Sequence, residues 1–243
     1  MTAREAHQAQ WKALQDKPLS DKLKYIVTYY WPAILGVICV IAIAVSWISS
    51  ALSQKASYLS GYMINGTNNP SYTGNLKQEF MDLKQVDGNK YEFILTTDVV
   101  YNSSLSSEGA ISVMESLVVQ AAAGELDFIV ADLESYPVFS AYYRDLTTVL
   151  TAEQIAKWQD LFVYAEKEAL EFLTSDDLFE FEIPEFYTSK EGMKEPVALG
   201  IRLPATCRLL EAYSFPAGDV IFGISYNTEN IENTLAFLEY IMN

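Results

Sequence analysis

An uncharged apolar stretch from Tyr29 to Leu52 constrains this chain more than any other feature of its sequence. No charged residue lies between Lys24 and Lys55. As a helix, the stretch would rise roughly 36 Å, enough to cross a hydrocarbon core of about 30 Å with some tilt. Aromatic residues near both ends are typical of interfacial anchors. The stretch therefore predicts a membrane span over residues 29–52; the alternative is a helix enclosed on every side by a soluble core.

Basic residues are distributed unevenly about this span. Five of them lie in residues 1–28, whereas Lys55 alone follows the span closely. The positive-inside rule then predicts a single-pass protein of the cell membrane, with a cytoplasmic N-terminal tail and an extracellular C-terminal part. A cleaved signal peptide is the alternative, but its apolar run is shorter, about 7–15 residues. We therefore expect an uncleaved signal anchor, a linker at residues 53–57 and an extracytoplasmic domain at 58–243.

Net charge also changes at the span. Of the 16 basic and 32 acidic residues of the chain, the first 52 residues hold five and three, which leaves 11 and 29 beyond them. A domain this acidic repels phosphate backbones, so nucleic acid is excluded as a partner. The two cysteines, Cys39 in the span and Cys207 beyond it, cannot pair, so a hydrophobic core must stabilise the outer domain. This lack of a disulfide favours a bacterial cell envelope.

Apolar runs alternate with helical patterns beyond the span. Residues 58–64, 91–97 and 126–131 predict strands, and helical spacing recurs at 76–83 and after Ser106 or Ser107. Strand, helix, strand, helix, strand at this spacing predicts an α/β fold with right-handed crossovers and a largely parallel sheet. Short helices are predicted within residues 146–158, strands at 161–165, 197–203 and 219–226, and a last helix through Ile231, Leu235, Leu238 and Met242.

A different pattern begins at Glu134. Aromatic residues cluster first, and an acidic, irregular stretch follows at residues 166–195. We interpret residues 134–195 as an inserted excursion or a reduced second lobe.

Residues 121–132, Ala-Ala-Ala-Gly-Glu-Leu-Asp-Phe-Ile-Val-Ala-Asp, combine a predicted helix end, an acidic residue and a predicted strand. Together with residues 143–150, 222–227 and 234–241, this segment resembles bacterial extracellular solute-binding proteins of ABC importers. The resemblance covers patches between residues 58 and 241. It implies a type II periplasmic-binding-protein fold. Because the family usually has two full lobes, the second would be reduced here. A membrane transporter is the implied partner.

Catalytic motifs are scarce outside the span. The one histidine, His7, precedes it, so no Ser-His or Cys-His pair can form in the outer domain. Nucleophile-elbow, phosphate-loop and calcium-loop patterns are also absent from the sequence. We therefore expect no catalytic residues, no metal and no cofactor, and a protein that is not an enzyme. A hydrolase with two facing carboxylates is the remaining catalytic alternative.

Polar side chains follow several predicted strands at the point where each strand ends. Ligands of open α/β sheets bind outside the carboxyl ends of the strands. We therefore expect Asn65, Asp98 and Asp132 to surround one mouth, with Ser135 and Tyr136 on the following loop. Their amide, carboxylate and hydroxyl groups can bond a small polar solute, and a tyrosine ring can offer a flat apolar face. These five residues are the candidate ligand-binding residues.

Asn227 follows the last predicted strand and would join the same mouth. The alternative is that Asp98 and Asp132 only cap the next helices and that the tyrosines pack internally. The first interpretation predicts a membrane-anchored extracytoplasmic module that binds a small polar solute. The second predicts a structural or interaction protein of the envelope that retains the fold without a ligand pocket.

Overall fold

The chain divides into two compact units between residues 54 and 55. The computed structural model describes residues 18–53, 55–101, 108–171, 183–216 and 218–243.

The first unit contains one long helix, α1 (Leu19–Ser53), of 35 residues. Its segment Tyr30–Trp47 has a mean hydropathy of 2.0, and none of that segment is buried. Within the described part of the chain, this is the one helix long and apolar enough to cross a membrane. Ile43 and Trp47, for example, are 63% and 80% exposed. A helix enclosed by a soluble core is therefore not found, and the exposed apolar surface is unfavourable in water.

The second unit is built on a mixed sheet of six strands. In chain order the strands are β1 (Ala56–Ile64), β2 (Thr67–Asn68), β3 (Tyr91–Val99), β4 (Phe128–Asp132), β5 (Phe162–Glu166), β6 (Pro196–Arg202), β7 (Tyr213–Ser214) and β8 (Val220–Ile224). The order across the sheet is β3-β1-β4-β8-β6-β5, while β2 and β7 form a separate antiparallel pair. Among the described residues of this unit, the helices are α2 (Leu76–Leu83), α3 (Glu108–Ala122), α4 (Ala152–Trp158), α5 (Lys167–Glu171), α6 (Arg208–Ala212) and α7 (Ile231–Met242), with short 3-10 helices at Tyr136–Tyr142, Leu146–Thr148 and Gln159–Leu161.

Half of this sheet is doubly wound. β1 pairs in parallel with β3 on one side and with β4 on the other. The chain therefore passes from β1 through α2 to β3 on one side of β1. It then crosses back through α3 to β4 on the other side of β1. Crossovers of the same hand that run in opposite directions place their helices on opposite faces of the sheet. The two crossovers also create a switch point between β1 and β4, where such sheets open a crevice at their carboxyl ends.

The other half of the sheet is antiparallel, which corrects the expectation of a largely parallel sheet. β8 is antiparallel to β4, β6 to β8, and β5 to β6. A parallel connection needs a crossover of a dozen or more residues, usually with a helix that spans the sheet. Between β6 and β8 the described residues form one helix, the five-residue α6, which is too short to carry the chain back along the sheet. Burial patterns do not reveal strand direction, because a buried strand has the same pattern in either direction.

Alternate residues of the central strands enter two separate apolar cores. Leu59 and Met63 of β1 contact the core that contains Phe80 of α2 and Phe237 of α7. Tyr62, which directly precedes Met63, contacts the opposite core, which also contains Leu117 and Ala121 of α3 and Phe139 and Tyr143. The cores cover both faces of the sheet, as an α/β fold requires.

Several predicted boundaries shift. α1 begins at Leu19, well before the predicted span, and β1 begins at Ala56, inside the predicted linker 53–57. Residues 134–195 do not separate as a lobe of their own among the described residues, because β5 pairs with β6 in the main sheet. The predicted caps Ser106 and Ser107 lie outside the described residues, as does the part of the acidic stretch at 172–182.

Candidate functional site

A cavity of about 540 Å³ lies where the three parallel strands end. Its lining includes Asn65 after β1, Val100 and Tyr101 after β3, and Asp132 at the end of β4. This is the crevice expected at the switch point between β1 and β4. We refer to it as the carboxyl-edge cavity.

Asn65 joins the ends of all three parallel strands. Its backbone is left-handed, with φ of 60°, a conformation that asparagine tolerates better than most residues. The side-chain oxygen accepts a hydrogen bond of 2.7 Å from the backbone N–H of Tyr101. The side-chain nitrogen donates two bonds of 2.8 Å, to Oδ2 of Asp132 and Oγ of Ser135. Both amide hydrogens and the carbonyl are thus engaged within the protein.

Asp132 and Ser135 are brought together by the turn that follows β4. The backbone N–H of Ser135 donates to Oδ1 of Asp132 at 2.9 Å, so the carboxylate also caps this turn. The two residues are 6% and 4% exposed, yet both line the cavity. An ionised carboxylate offers about four acceptor positions, of which these contacts occupy two. The capping role and an open acceptor position therefore occur together in Asp132.

The remaining walls are acidic and apolar. Glu134 lies on the turn after β4, and Glu185 comes from the distant segment that precedes β6. Apolar contact surface is supplied by Val100, Val138 and Ile183. Sequence reasoning missed these wall residues. Glu134 follows Asp132 by two residues, and this position could have indicated that it lines the cavity. Glu185 and Ile183 lie far along the chain, and no local sequence pattern links them to the site.

Tyr136 lies inside the apolar core, which differs from the expectation of a ligand-facing ring. Its hydroxyl donates a hydrogen bond of 3.0 Å to the backbone carbonyl of Leu199, and its ring stacks on Tyr143 with centroids 4.1 Å apart. It is fully buried and does not line the cavity. Burial raises the pKa of the Tyr136 hydroxyl well above its usual value. The ring turns inward because Gly200 and Gly223 leave room for it against the sheet.

Two further predicted residues do not contribute described side chains to the cavity. The backbone of Asp98 belongs to β3, which continues to Val99, but its side chain lies outside the described part of the structure. Asn227 follows β8, whose antiparallel direction carries it away from the carboxyl ends of β1 and β4. There its side-chain amide donates to the carbonyl of Ala122 at 3.1 Å and closes the end of α3.

A larger groove of about 920 Å³ lies at the opposite edge, where the parallel strands begin. Among the buried polar residues that line it is Asp127, which is 4% exposed. The carboxylate accepts bonds from the Ser60 N–H at 2.8 Å, the Thr228 hydroxyl at 2.5 Å and the Asn230 amide at 3.2 Å. Burial raises the pKa of the Asp127 carboxyl, which outweighs the lowering effect of these bonds. The network joins β1, β4 and the loop before α7, and we assign it a structural role.

No group of three His, Cys, Asp or Glu side chains among the described residues is arranged to hold a metal ion. Comparison of the chain with protein-family models, with curated proteins and with solved structures finds no match.

Proposed function

We propose that this protein is a membrane-anchored module that binds a small polar solute in the carboxyl-edge cavity, in the manner of bacterial extracellular solute-binding proteins. The observation that carries the proposal is the convergence of Asp132 and Ser135 on a cavity at the switch point of the sheet. A volume of about 540 Å³ falls within the range of roughly 300–1,000 Å³ that is typical of small-molecule sites.

The membrane anchor in this proposal is α1. Its apolar segment Tyr30–Trp47 has the length and composition of a span. The excess of basic residues in the preceding segment supports a cytoplasmic N-terminus and an extracellular position for residues 55–243. A module held in this way at the outer face of the cell membrane would present its solute to a membrane transporter or to another envelope protein.

Solute binding is tested by thermal unfolding of the full chain in detergent micelles with panels of sugars, amino acids and short peptides. A ligand at 100 times its Kd stabilises the folded state by about 2.7 kcal/mol, which is readily detected. The blocking variant is Val100→Trp, because Val100 lines the cavity and is 64% exposed. Val119→Trp is its control, since Val119 on α3 is 66% exposed and does not line the cavity.

We expect one solute class to raise the unfolding temperature of the unmodified chain and of Val119→Trp, but not of Val100→Trp. Stabilisation by no class, or equal stabilisation of both tryptophan variants, contradicts the proposal.

Orientation is tested separately on intact cells with a membrane-impermeant maleimide and single cysteines, introduced after Cys39→Ala and Cys207→Ala have removed the two native thiols. Asn89→Cys lies in the exposed turn before β3 and should be labelled from outside. Ala3→Cys, in the N-terminal tail, should be labelled only after lysis. The reverse pattern contradicts an extracellular domain.

An envelope structural or interaction protein is the second candidate function. It is favoured by the internal use of every polar atom of the Asn65 side chain, which is what a purely structural clamp would show. This function predicts that no solute stabilises the chain and that in-cell crosslinking from the second unit captures one defined envelope protein.

A further inference from the structure

Negative charge dominates the carboxyl-edge cavity. Asp132, Glu134 and Glu185 line it, and no Lys, Arg or His does so among the described residues. The neighbouring sequence adds no basic residue either, because residues 102–107 and 172–182 contain no Lys, Arg or His. A cavity with low-dielectric walls and charges of one sign concentrates ions of the opposite sign.

Asp132 has a feature that surface carboxylates lack. It is 6% exposed, its two described hydrogen bonds come from neutral donors, the Asn65 amide and the Ser135 N–H, and no ion pair links it to a lysine or arginine in the described ranges. Burial of a carboxylate without a cationic partner is unfavourable. A cationic group in the cavity would supply that partner and occupy an acceptor position that the protein leaves open.

Apolar side chains adjoin these charges. Val100, Val138 and Ile183 line the same cavity and would contact the uncharged part of a bound molecule. An ammonium group beside an alkyl chain or a carbon ring matches this combination, because each part meets surface of its own kind. A carboxylate or phosphate group would meet like charge, which opposes binding.

We propose that the solute of the carboxyl-edge cavity carries a primary amine or another cationic group, bound by Asp132 with Glu134 and Glu185 at the rim. This inference rests on the proposed function, since it names the chemical class of solute that the same cavity takes.

The test compares matched probes that differ in charge, with the full chain in nanodiscs of zwitterionic lipid and titration calorimetry as the measurement. The pairs are 1,5-diaminopentane with 1,5-pentanediol, and glucosamine with glucose; glutarate is the anionic probe. We expect the cationic member of at least one pair to bind about tenfold or more tightly than its neutral partner, with no binding of glutarate. Its affinity should also fall as salt concentration rises, because salt screens the attraction.

Charge-neutralising variants locate the binding. Glu134→Gln keeps the size of an exposed side chain at the rim and should raise the Kd of the bound amine about twofold to fivefold. Asp132→Asn should raise it about tenfold or more. Glu125→Gln is the control, since Glu125 is exposed and lines the groove at the opposite edge, and it should leave the Kd unchanged. Glu134→Gln keeps the test decisive even if Asp132→Asn does not fold.

The outcomes separate this inference from the proposed function. Binding of a neutral or anionic solute, from the pairs or from the broader panel, with no preference for the cationic analogue overturns the inference alone. An amine whose binding is weakened by Glu125→Gln but not by Glu134→Gln also overturns it, because that amine occupies the other groove. Failure of every solute class to bind overturns the proposed function together with the inference.

Discussion

The side-chain nitrogen of Asn65 lies 2.8 Å from Oδ2 of Asp132, although the two residues are 67 positions apart in the chain. This contact joins the ends of two adjacent parallel strands at the point where the cavity opens. The Asn65 oxygen faces the N–H of Tyr101 at 2.7 Å, which fixes the orientation of the amide, because the reversed amide would place its oxygen against the carboxylate. Asn65 thus positions Asp132 and Ser135, and these two carry the open acceptor and hydroxyl groups of the cavity.

The three hydrogen bonds of the Asn65 side chain, which clamp the strand ends together, can be tested by substitution with glycine. Asn65→Gly keeps the left-handed backbone accessible but removes three hydrogen bonds, so we expect the free energy of unfolding to fall by about 1–3 kcal/mol. Gln85→Gly is the matched control, since Gln85 has a similar φ of 56° and is exposed. Its effect should stay within about 0.5 kcal/mol. Urea denaturation in detergent micelles, followed by tryptophan fluorescence, measures both; equal losses would contradict the clamp.

Tyr136→Phe distinguishes a core residue from a ligand contact. The variant loses the hydrogen bond to the carbonyl of Leu199 but keeps the stacked ring, so unfolding should become easier by about 1 kcal/mol. Ligand affinity should not change, because Tyr136 does not line the cavity. Chemical denaturation and calorimetry on the same samples provide the two readouts. Weakened binding without loss of stability would restore Tyr136 to the ligand site.

Asp127 should make stability decrease with rising pH. Burial raises its folded-state pKa above the usual value of 3.8, so the native state retains a proton that the unfolded state has lost. The contribution of Asp127 to the free energy of unfolding is therefore fully present below its unfolded-state pKa and is lost as pH rises through its folded-state pKa. The stability of the unmodified chain relative to Asp127→Asn should fall over that window in urea titrations.

Thr228→Val provides a second check on Asp127. The Thr228 hydroxyl donates a hydrogen bond to the Asp127 carboxylate and lowers its pKa. Removal of this bond should therefore extend the fall in stability to higher pH. A difference between Asp127→Asn and the unmodified chain that is constant with pH would contradict the raised pKa.

The ring of Phe128 on β4 packs against Gly61 of β1. A Cβ atom at this position would collide with the ring of Phe128. We expect Gly61→Ala to lower the free energy of unfolding by about 1–3 kcal/mol, because the buried ring has little space to move. At Gly88 an added Cβ meets nothing within 4 Å, so Gly88→Ala should change the free energy of unfolding by less than about 0.5 kcal/mol. Partial rescue of Gly61→Ala by Phe128→Leu would confirm the cause.

The elements that sequence reasoning placed well are those whose signal is local. The final helix, predicted from Ile231, Leu235, Leu238 and Met242, is confirmed as α7. The strand that ends at Asp132 is also confirmed, as β4. The sequence does not predict the direction of β8, because every residue of this strand is buried whichever way it runs. The position of Asn227 depends on that direction and was therefore not predictable either.

The residues of the candidate site also divide into those that the sequence predicts and those that it does not. The rule that parallel strands end at one edge of a sheet predicts that Asn65, Asp132 and Ser135 lie together, and the hydrogen bonds between them agree with that rule. Proximity in sequence also predicts Tyr136 at this site, but its ring turns into the space beside Gly200 and Gly223. Glu185 reaches the cavity from a segment with no helical or strand period, so nothing near it in the chain indicated its role.

The sequence by itself determined the apolar helix, the alternation of strands and helices along the first half of the outer domain, and the polar residues at the strand ends, because each depends on neighbours within a turn or a strand. Tertiary structure alone decided the mixed direction of the sheet, the inward turn of Tyr136 and the acidic wall around Asp132. Those features depend on contacts between residues distant in the chain, and such contacts form only when the apolar faces of the sheet are buried together.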